Sequence, residues 1–405
     1  MKELWLFTTR FPYGLRESFL ENELPILCAR YDRVLVFPEH TEDGLRTLPP
    51  NAELQVPVKD PYGSASIGEM IRSTPLVVKL ILSLLRDAPS FKILRAQWPD
   101  LRSRIGQLIR RSLVLRQRIE KDYDPERVTL YTYWTHDWTT VLGLVQHKVP
   151  KLNYFSRAHG FDVFEAQNLN GWIPFRSFQL RHVSKVYCAS RSGMEHLRRR
   201  HPERKDLFEL AQLGTRDHGV GPFDPTGPLR VVSCSFLIPR KRVLLLVEAL
   251  SAVDVPVEWT HFGGGTEEAT VHEAASRLPA HVKVDLKGMT PNPVIMDWYR
   301  SHPVDVFIHL SHLEGGVVVA VQEAASFGIP VIATDSGGIR EIMGERTGIL
   351  LQNDPSTLRI AELLNGWRKG PMAIEAFRTG VRQAWKEQFD ANVVFHRFVD
   401  RISNG

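Results

Sequence analysis

The stretch Glu314–Gly338, EGGVVVAVQEAASFGIPVIATDSGG, decides the fold of the second half of the chain. Its order predicts a glycine loop, a helix beginning near Val317, a strand and a second glycine turn. A helix N-terminus offers free N–H groups and a partial positive charge, which suit a diphosphate. The carboxylates of Glu314 and Glu323 can accept hydrogen bonds from sugar and ribose hydroxyls. The stretch therefore predicts a site for a sugar nucleotide.

Short apolar runs alternate with helical patterns on the N-terminal side of this stretch. LWLFTT from Leu4 to Thr9 and VLVFP from Val34 to Pro38 predict buried strands, with a helical pattern between them. A second alternating set begins at Leu229, after the Gly-, Pro- and Asp-rich stretch 214–228, which predicts a linker. The alternation predicts two α/β domains with parallel sheets, joined near residue 220.

Composition limits the class of protein. The 405 residues carry a net charge of +5, which attracts polyanions such as nucleotide diphosphates or an acidic membrane face. Three widely spaced cysteines predict neither a disulfide framework nor a zinc site. The first residues lack a signal-peptide pattern, and the longest apolar run is about half a membrane span. We therefore expect a soluble protein of the cytoplasm, a reducing compartment.

Basic residues and histidines follow other predicted strands. Arg240 and Lys241 lie between a strand and a helix, at the edge where open α/β sheets bind ligands. They could hold a diphosphate and stabilise the charge on a departing nucleotide, or they could form a plain solvated turn. His159 ends a strand and could hydrogen-bond a sugar hydroxyl, or it could be a buried structural histidine. For His136 and Asp137 the structural role is favoured.

Glycines mark the loops in which the backbone can approach a ligand closely. Gly14 lies between the first predicted strand and helix, Gly264 lies in an HFGGG turn of the second domain, and Gly315 and Gly316 follow Glu314. The sequence contains no Walker-type loop, no G-x-G-x-x-G opening of a βαβ unit, no nucleophile elbow and no paired-histidine zinc motif. It therefore supports neither a dinucleotide site nor a P-loop, and we predict no metal site.

The region from about Ile67 to Lys121 predicts mostly helix and is rich in arginine. Its basic residues form either a solvated face or a face that rests on anionic lipid. We therefore keep an anionic membrane surface as a candidate partner, which would place the protein peripherally on the inner membrane face. Nucleic acid is not expected as a partner, and the sequence does not indicate an oligomeric state.

The strings EAASFGIPVIATDSGG, SRAHGFD and HFGGG together resemble family 4 glycosyltransferases of the GT-B fold. The resemblance is closest to bacterial exopolysaccharide and lipopolysaccharide enzymes of the colanic acid and amylovoran type. It implies two Rossmann-like domains with parallel sheets facing a cleft. The acceptor-binding domain would be 1–218, joined by a C-terminal helix at about 386–405, and the nucleotide-sugar-binding domain would be 219–385.

The resemblance also implies the chemistry. A hexose-like sugar would move from a UDP- or GDP-sugar, with retention of configuration and without a metal ion or cofactor. The acceptor would be a hydroxyl of a glycan, a lipid-linked saccharide or a secondary metabolite. The implied roles are Glu323 at the donor ribose, Glu314 at the donor sugar with the Gly316 and Val317 amides, Lys241 at the diphosphate, His159 near the reacting centre and Gly14 beside the phosphates.

The sequence departs from the family pattern at two places. Eight residues separate Glu314 from Glu323, where the family commonly has seven, and the loop at Gly315 and Gly316 could absorb the extra residue. Phe236 stands where the family often has an arginine, and we expect Arg240 to supply that charge.

Two other functions remain open at this point. One is a sugar-nucleotide epimerase or hydrolase of the same fold. The other is a non-catalytic basic protein that binds a membrane surface and keeps a relic nucleotide site.

Overall fold

The computed structural model describes residues 1–14, 17, 19–56 and 63–404. The chain divides into two compact units, Met1–Ala211 with His396–Gly405, and Gln212–Phe395. Each unit contains a parallel sheet with helices, so the predicted fold class of two parallel-sheet α/β domains is confirmed. The predicted boundaries at 218/219 and 385/386, and the acceptor and donor roles of the two domains, stay predictions.

The first unit contains a parallel sheet in the order β3-β2-β1-β4-β5-β6-β7. Its strands are β1 Glu3–Thr8, β2 Arg33–Pro38, β3 Ala52–Leu54, β4 Val128–Thr132, β5 Tyr154–Ala158, β6 Lys185–Cys188 and β7 Phe208–Leu210. The helices are α1 Leu20–Arg30, α2 Ile67–Arg72, α3 Thr74–Asp87, α4 Phe91–Asp122, α5 Asp137–Gln146, α6 Arg176–His182 and α7 Arg191–Arg200. The 3-10 segments are Glu165–Gln167, Leu169–Gly171 and Pro202–Leu207.

The second unit contains a parallel sheet in the order β10-β9-β8-β11-β12-β13. Its strands are β8 Leu229–Cys234, β9 Val257–Phe262, β10 Val282–Leu286, β11 Val306–His309, β12 Val331–Thr334 and β13 Gly348–Leu351. The helices are α8 Val243–Ser251, α9 Glu268–Ala275, α10 Asn292–Ser301, α11 Val319–Ser326, α12 Thr357–Gly366 and α13 Glu375–Phe389. The 3-10 segments are Pro239–Lys241, Gly337–Glu341, Trp367–Lys369 and Pro371–Ala373, and α14, Ala391–Asn404, crosses the division between the units.

The sequences of the central strands explain why they lie inside. Strands covered on both faces read as continuous apolar runs, and β1, β2, β11 and β12 are almost entirely buried. Helices α3, α4, α5 and α6 pack on the first sheet, whereas α8, α9 and α12 share a core with the second.

Both sheets reverse their strand order beside the first strand of the unit. The reversal lies between β1 and β4 in the first unit and between β8 and β11 in the second. In open α/β sheets, ligands bind outside the carboxyl ends of the strands at this point. A ligand-binding site is therefore expected in the loops that follow these four strands.

Candidate active site

The loops after β8 and β11 meet through a salt bridge at the strand-order reversal of the second unit. Lys241 follows β8, Glu314 follows β11, and the Lys241 Nζ donates to the Glu314 Oε1. Both side chains are about nine-tenths buried. Two residues that the sequence predicts for the site are therefore brought into direct contact.

His309, the last residue of β11, completes this cluster. Its Nε2 lies 2.9 Å from the Glu314 Oε1, and its side chain is buried. Burial raises the pKa of Glu314, but the charge of Lys241 and the hydrogen bond from His309 outweigh it, so that the pKa lies well below the ordinary value. Glu314 is therefore a carboxylate throughout the physiological pH range. The extra residue between the two glutamates does not remove Glu314 from the sheet edge.

The three adjacent cations of this turn, Arg240, Lys241 and Arg242, differ in their contacts. Arg242 adopts φ +50° and donates its Nε to the carbonyl oxygen of Leu310 at 2.7 Å, so it fastens two loops together. The Arg240 side chain is half-buried and makes no hydrogen bond or ion pair in the part of the chain that the structure describes. Its carbonyl oxygen accepts from the Ser311 Oγ at 3.1 Å. Arg240 is thus the cation of this turn that is free to meet a ligand.

The two glycine turns of the opening stretch pack against each other. Gly337 has φ +56°, and a Cβ there would lie 1.9 Å from the carbonyl oxygen of Glu314. A Cβ on Gly338 would lie 2.6 Å from the carbonyl carbon of Gly316 and 2.7 Å from the amide nitrogen of Val317. Only glycine permits this approach, so the turn after β12 positions the backbone that follows β11.

Helix α11 begins at Val319, two residues later than the sequence predicts. Val318 precedes it and offers no side-chain cap. Within the described chain, the N–H groups of Gly316 and Val317 donate to no backbone carbonyl. These amides and the helix N-terminus form the type of positive backbone site that binds anions.

Glu323 lies in the second turn of α11 and is buried. The Asn292 Nδ2, at the start of α10, donates to the Glu323 Oε1 at 2.7 Å. Burial raises the pKa of Glu323 to about 7, and the hydrogen bond from Asn292 offsets only part of that effect. Glu323 therefore differs from Glu314: no cation of the described residues contributes to its pKa, and it changes charge near neutral pH.

Gly264 lies in the turn after β9. Its N–H donates to the Met289 Sδ at 3.3 Å, and its carbonyl oxygen accepts from the N–H of Leu237 at 3.0 Å. The neighbouring Gly263 has φ +133°, where a Cβ would lie 1.9 Å from the carbonyl oxygen of Ser235. The turn thus supports the backbone that leads from β8 to Lys241, and contact of Gly264 with a ligand stays a prediction.

His159 follows β5 of the first unit and lies among aromatic rings. Its ring centroid is 4.3 Å from that of Trp134 and 4.8 Å from that of Tyr133. The side chain is 8% exposed, and neither ring nitrogen has a hydrogen-bond partner among the residues that the structure describes. Burial and the nearby Arg157 hold its pKa well below the ordinary value. His159 is thus held as a neutral imidazole, and its predicted contact with a sugar stays a prediction.

Glu17 organises the loop after β1. It accepts from the N–H groups of Arg10 and Phe11, each at 2.7 Å, and from the Trp134 Nε1 at 2.5 Å. Gly14, in the same loop, has φ +60° and donates its N–H to the carbonyl oxygen of Gly44 at 3.0 Å. These hydrogen bonds tie Glu17 to the start of the loop and to Trp134, and the predicted contact of Gly14 with phosphates stays a prediction.

Glu39, His136 and Asp137 bring three potential metal-ligand atoms together in the first unit. Two arginines already donate hydrogen bonds to the carboxylates of this cluster. The Arg104 Nε donates to the Asp137 Oδ1 at 2.8 Å, and the Arg111 Nη1 donates to the Glu39 Oε1 at 2.8 Å. Guanidinium groups in these positions repel a metal cation. The cluster therefore fits the structural role favoured for His136 and Asp137.

Three site residues were not predicted from the sequence. His309 stands at the end of the apolar run VFIH, and a polar residue at the carboxyl end of a predicted strand is a usable signal. Asn292 carries no such signal, because its partner Glu323 is 31 residues away in the sequence. Glu17 carries none either, because its partners include backbone N–H groups of a loop. Only the folded chain shows these contacts.

Comparison with known proteins defines the class of the second unit. Residues 222–387 match the family described as glycosyl transferases group 1. This part of the chain is therefore a group 1 glycosyltransferase domain of the GT-B type, and the predicted resemblance is confirmed.

Individual relatives are distant. The amylovoran biosynthesis glycosyltransferase AmsK of Erwinia amylovora is 22% identical over 179 residues, a match that spans 43% of this chain and 44% of that protein. Anabaena Alr3699/HepE in complex with UDP superimposes with a TM-score of 0.69 at 16% identity, with both chains fully covered. The lipopolysaccharide outer core galactosyltransferase WaaB gives a TM-score of 0.69 at 13% identity, covering 100% of this chain and 99% of that one. At these identities the two structures show a shared fold alone.

Proposed function

We propose that the protein is a glycosyltransferase that moves a sugar from a nucleotide diphosphate sugar to a hydroxyl acceptor. The observation that carries the proposal is the contact of Lys241 with Glu314 at the strand-order reversal of the second sheet. The half-buried Arg240 and the open amides before α11 stand in the neighbouring loops. A diphosphate needs such cations and amides, and a sugar needs a fixed carboxylate such as Glu314.

We propose a UDP-sugar as the first donor to test and a GDP-sugar as the second. Structures of the neighbour HepE contain UDP, UDP with glucose, and UDP-glucose. Glu323 would accept hydrogen bonds from the ribose, a moiety that both donors share. Because the ribose does not distinguish the bases, base selection must come from other side chains.

We propose that the transfer retains the anomeric configuration and needs no metal ion. Lys241 and Arg240 would stabilise the charge that develops on the leaving diphosphate, as a metal ion does in other enzymes. His159, held neutral by burial, would hydrogen-bond the donor sugar. The acceptor hydroxyl would attack from the face that the phosphate leaves and pass its proton to that phosphate.

A lipid-linked saccharide on the inner membrane face is the acceptor that best suits the surface of the first unit. Exposed apolar residues occur there at helical spacing, namely Ile67 and Ile71 on α2, Val78, Leu82 and Leu85 on α3, and Phe91 and Trp98 on α4. Exposed basic residues, namely Arg72, Lys79, Arg86, Lys92, Arg95 and Arg102, are interleaved with them. We call this set the α2–α4 surface. Apolar residues that enter an interface beside cations that meet anionic headgroups are typical of peripheral membrane binding.

The membrane proposal concerns contact with one face of a bilayer. No helix in the described ranges is both long and apolar enough to cross one.

Product analysis with purified protein tests the reaction. With UDP-glucose, GDP-mannose and other donors, and a membrane extract as acceptor source, we expect a glycosylated product and free nucleotide diphosphate in the presence of EDTA. The coupling constant of the new anomeric proton reports retention or inversion. Turnover of the donor without acceptor, to a rearranged or hydrolysed sugar, would instead identify an epimerase or hydrolase. A non-catalytic binder would show no turnover. It would bind vesicles in a salt-sensitive way, and added sugar nucleotide would not change that binding.

A further inference from the structure

The first unit contains a cavity whose lining includes no residue of the loops that follow β1 and β4. It has a volume of about 470 Å³ and lies between the end of α3, the 3-10 segments near residue 170, α6 and α7. This volume lies in the range of organic-ligand sites. Five arginines line the cavity against three acids, so its walls carry an excess of two positive charges.

Arg176, at the start of α6, is the buried cation of this cavity. Its side chain is 4% exposed, and its Nη2 donates to the carbonyl oxygen of Asp162. Its Nε and Nη1 are buried and have no hydrogen-bond partner in the described part of the chain. A buried guanidinium with two unused nitrogens is costly unless an anion or water meets it. Arg176 is therefore a buried cation in the lining of the cavity, with incomplete hydrogen bonding among the described residues.

Nearby acids offset part of the charge of Arg176, Asp162 first and then Asp87 and Glu165, and the cavity lining keeps an excess of two positive charges. Glu165 is engaged by the His196 Nε2 at 2.7 Å and by the Arg200 Nε at 3.1 Å. Burial raises its pKa, but the contact with His196 outweighs that effect and lowers the pKa to about 2. Asp87 accepts from the N–H of Ser177 and from the Ser83 Oγ, both at 3.0 Å. Glu203 stays exposed at the rim.

Two further arginines at the rim, Arg86 and Arg181, are exposed. Their side chains make no hydrogen bond or ion pair among the described residues. Trp172, Ile173 and Leu180 add an apolar wall on which the organic part of a ligand could rest. The combination of a buried cation, free rim cations and an apolar wall suits a phosphate ester better than inorganic phosphate.

We propose that this cavity binds a phosphate ester, with Arg176 as the buried anchor and Arg86 and Arg181 as rim contacts. The chemistry is shared by a lipid headgroup with a phosphate monoester and by a small soluble phosphate ester. The proposal does not depend on the glycosyltransferase activity, because the cavity contains none of the proposed donor-site residues; Arg86 alone also belongs to the α2–α4 surface.

Calorimetry with glycerol 3-phosphate and flotation with vesicles of phosphatidic acid in phosphatidylcholine test the two sources. The double variant Arg86→Gln/Arg181→Gln removes two exposed charges and should fold normally. The matched control Lys148→Gln/Lys151→Gln removes two exposed charges of the same unit outside the cavity. Arg176→Gln is the anchor variant, with circular dichroism as its folding check.

Saturable binding of glycerol 3-phosphate that is at least tenfold weaker in the arginine double variant, and unchanged in the lysine control, would support a soluble ester. Tighter flotation on phosphatidic acid than on phosphatidylglycerol of equal surface charge, lost only in the arginine variant, would support a lipid headgroup. Equal binding by the arginine variant and the lysine control would overturn the proposal, as would lack of binding to both probes.

Discussion

At the scale of single residues, the second unit contains two buried glutamates in opposite electrostatic settings. Glu314 lies against Lys241 and His309, which lower its pKa, whereas Glu323 has only the amide of Asn292 and its pKa is about 7. Ionised Glu314 suits a fixed contact with a sugar. Glu323 needs a hydroxyl donor to stabilise its charge, which the ribose of a bound donor would supply.

The raised pKa of Glu323 predicts a pH-dependent stability. The pKa of Glu323 is about 7 in the folded chain and about 4.5 in the unfolded chain, so the unfolded chain loses this proton first. The free energy of unfolding should therefore fall as pH rises from about 4.5 to 7, by up to roughly 3 kcal/mol from this residue. Urea unfolding of wild type and Glu323→Gln at pH 5 and pH 7.5 measures it. Parallel pH dependence in the two proteins would contradict the assignment.

Lys241 offers a direct test of the cation at the diphosphate. Lys241→Ala should lower kcat/KM by about 100-fold or more, because charge stabilisation in the transition state is lost. Lys283→Ala is the control, since this side chain is 78% exposed at the edge strand β10. Steady-state kinetics with a fixed acceptor measures both. Activity of Lys241→Ala within a few-fold of wild type would remove Lys241 from the mechanism.

At the scale of elements, the site depends on loops that touch rather than on any one helix. The turn at Gly337 lies against the backbone of Glu314, and α11 begins directly after that loop. The backbone amides before α11, which we propose face a diphosphate, are therefore positioned by the contact of two strand ends.

Gly337→Ala tests this contact. Alanine is strained at φ +56°, and its Cβ would lie 1.9 Å from the carbonyl oxygen of Glu314. We therefore expect the free energy of unfolding to fall by about 1–3 kcal/mol and the affinity for the donor to fall by more. Gly344→Ala is the matched control, because its Cβ would meet no atom within 4 Å. Thermal unfolding and donor titration compare them. Equal affinity for the donor in both variants would show that the turn does not shape the site.

The elements of the second unit were largely predictable from the sequence. Strands such as VFIH and VIAT are short apolar runs that a glycine turn follows, and the parallel order follows from their alternation with helices. The sequence does not predict the hydrogen bond between Asn292 and Glu323. It also does not predict that Lys241 and Arg242 bind different partners. These contacts depend on side-chain directions fixed by packing between elements distant in sequence. For the same reason the sequence did not reveal the cavity beside Arg176.

At the scale of the whole molecule, the charge of +5 is partly concentrated on the α2–α4 surface. The segment 67–102 contains six Lys or Arg residues and three acids, besides its exposed apolar residues. General charge alone would bind any polyanion, whereas this surface also contains residues that can enter a lipid interface.

The double variant Leu82→Glu/Leu85→Glu should reduce flotation with anionic vesicles at least fivefold. It removes apolar contact and adds repulsion at the lipid surface, and both side chains are more than half exposed, so folding should be unaffected. Ile374→Glu in the second unit, 52% exposed in the wild type, is the control. Flotation at low and high salt measures the effect. Unchanged flotation of the double variant would assign membrane contact to another surface.

The central claim is that the second unit binds a nucleotide diphosphate through Lys241, Glu314 and Glu323. The measurement that tests it most directly is thermal unfolding with UDP, GDP, ADP, CDP and dTDP, each with EDTA, on wild type and Glu323→Ala. A diphosphate at 100 times its dissociation constant should stabilise the wild type by about 2.7 kcal/mol and the variant much less. Lack of stabilisation by any of the five, or equal stabilisation of the variant, would contradict the claim.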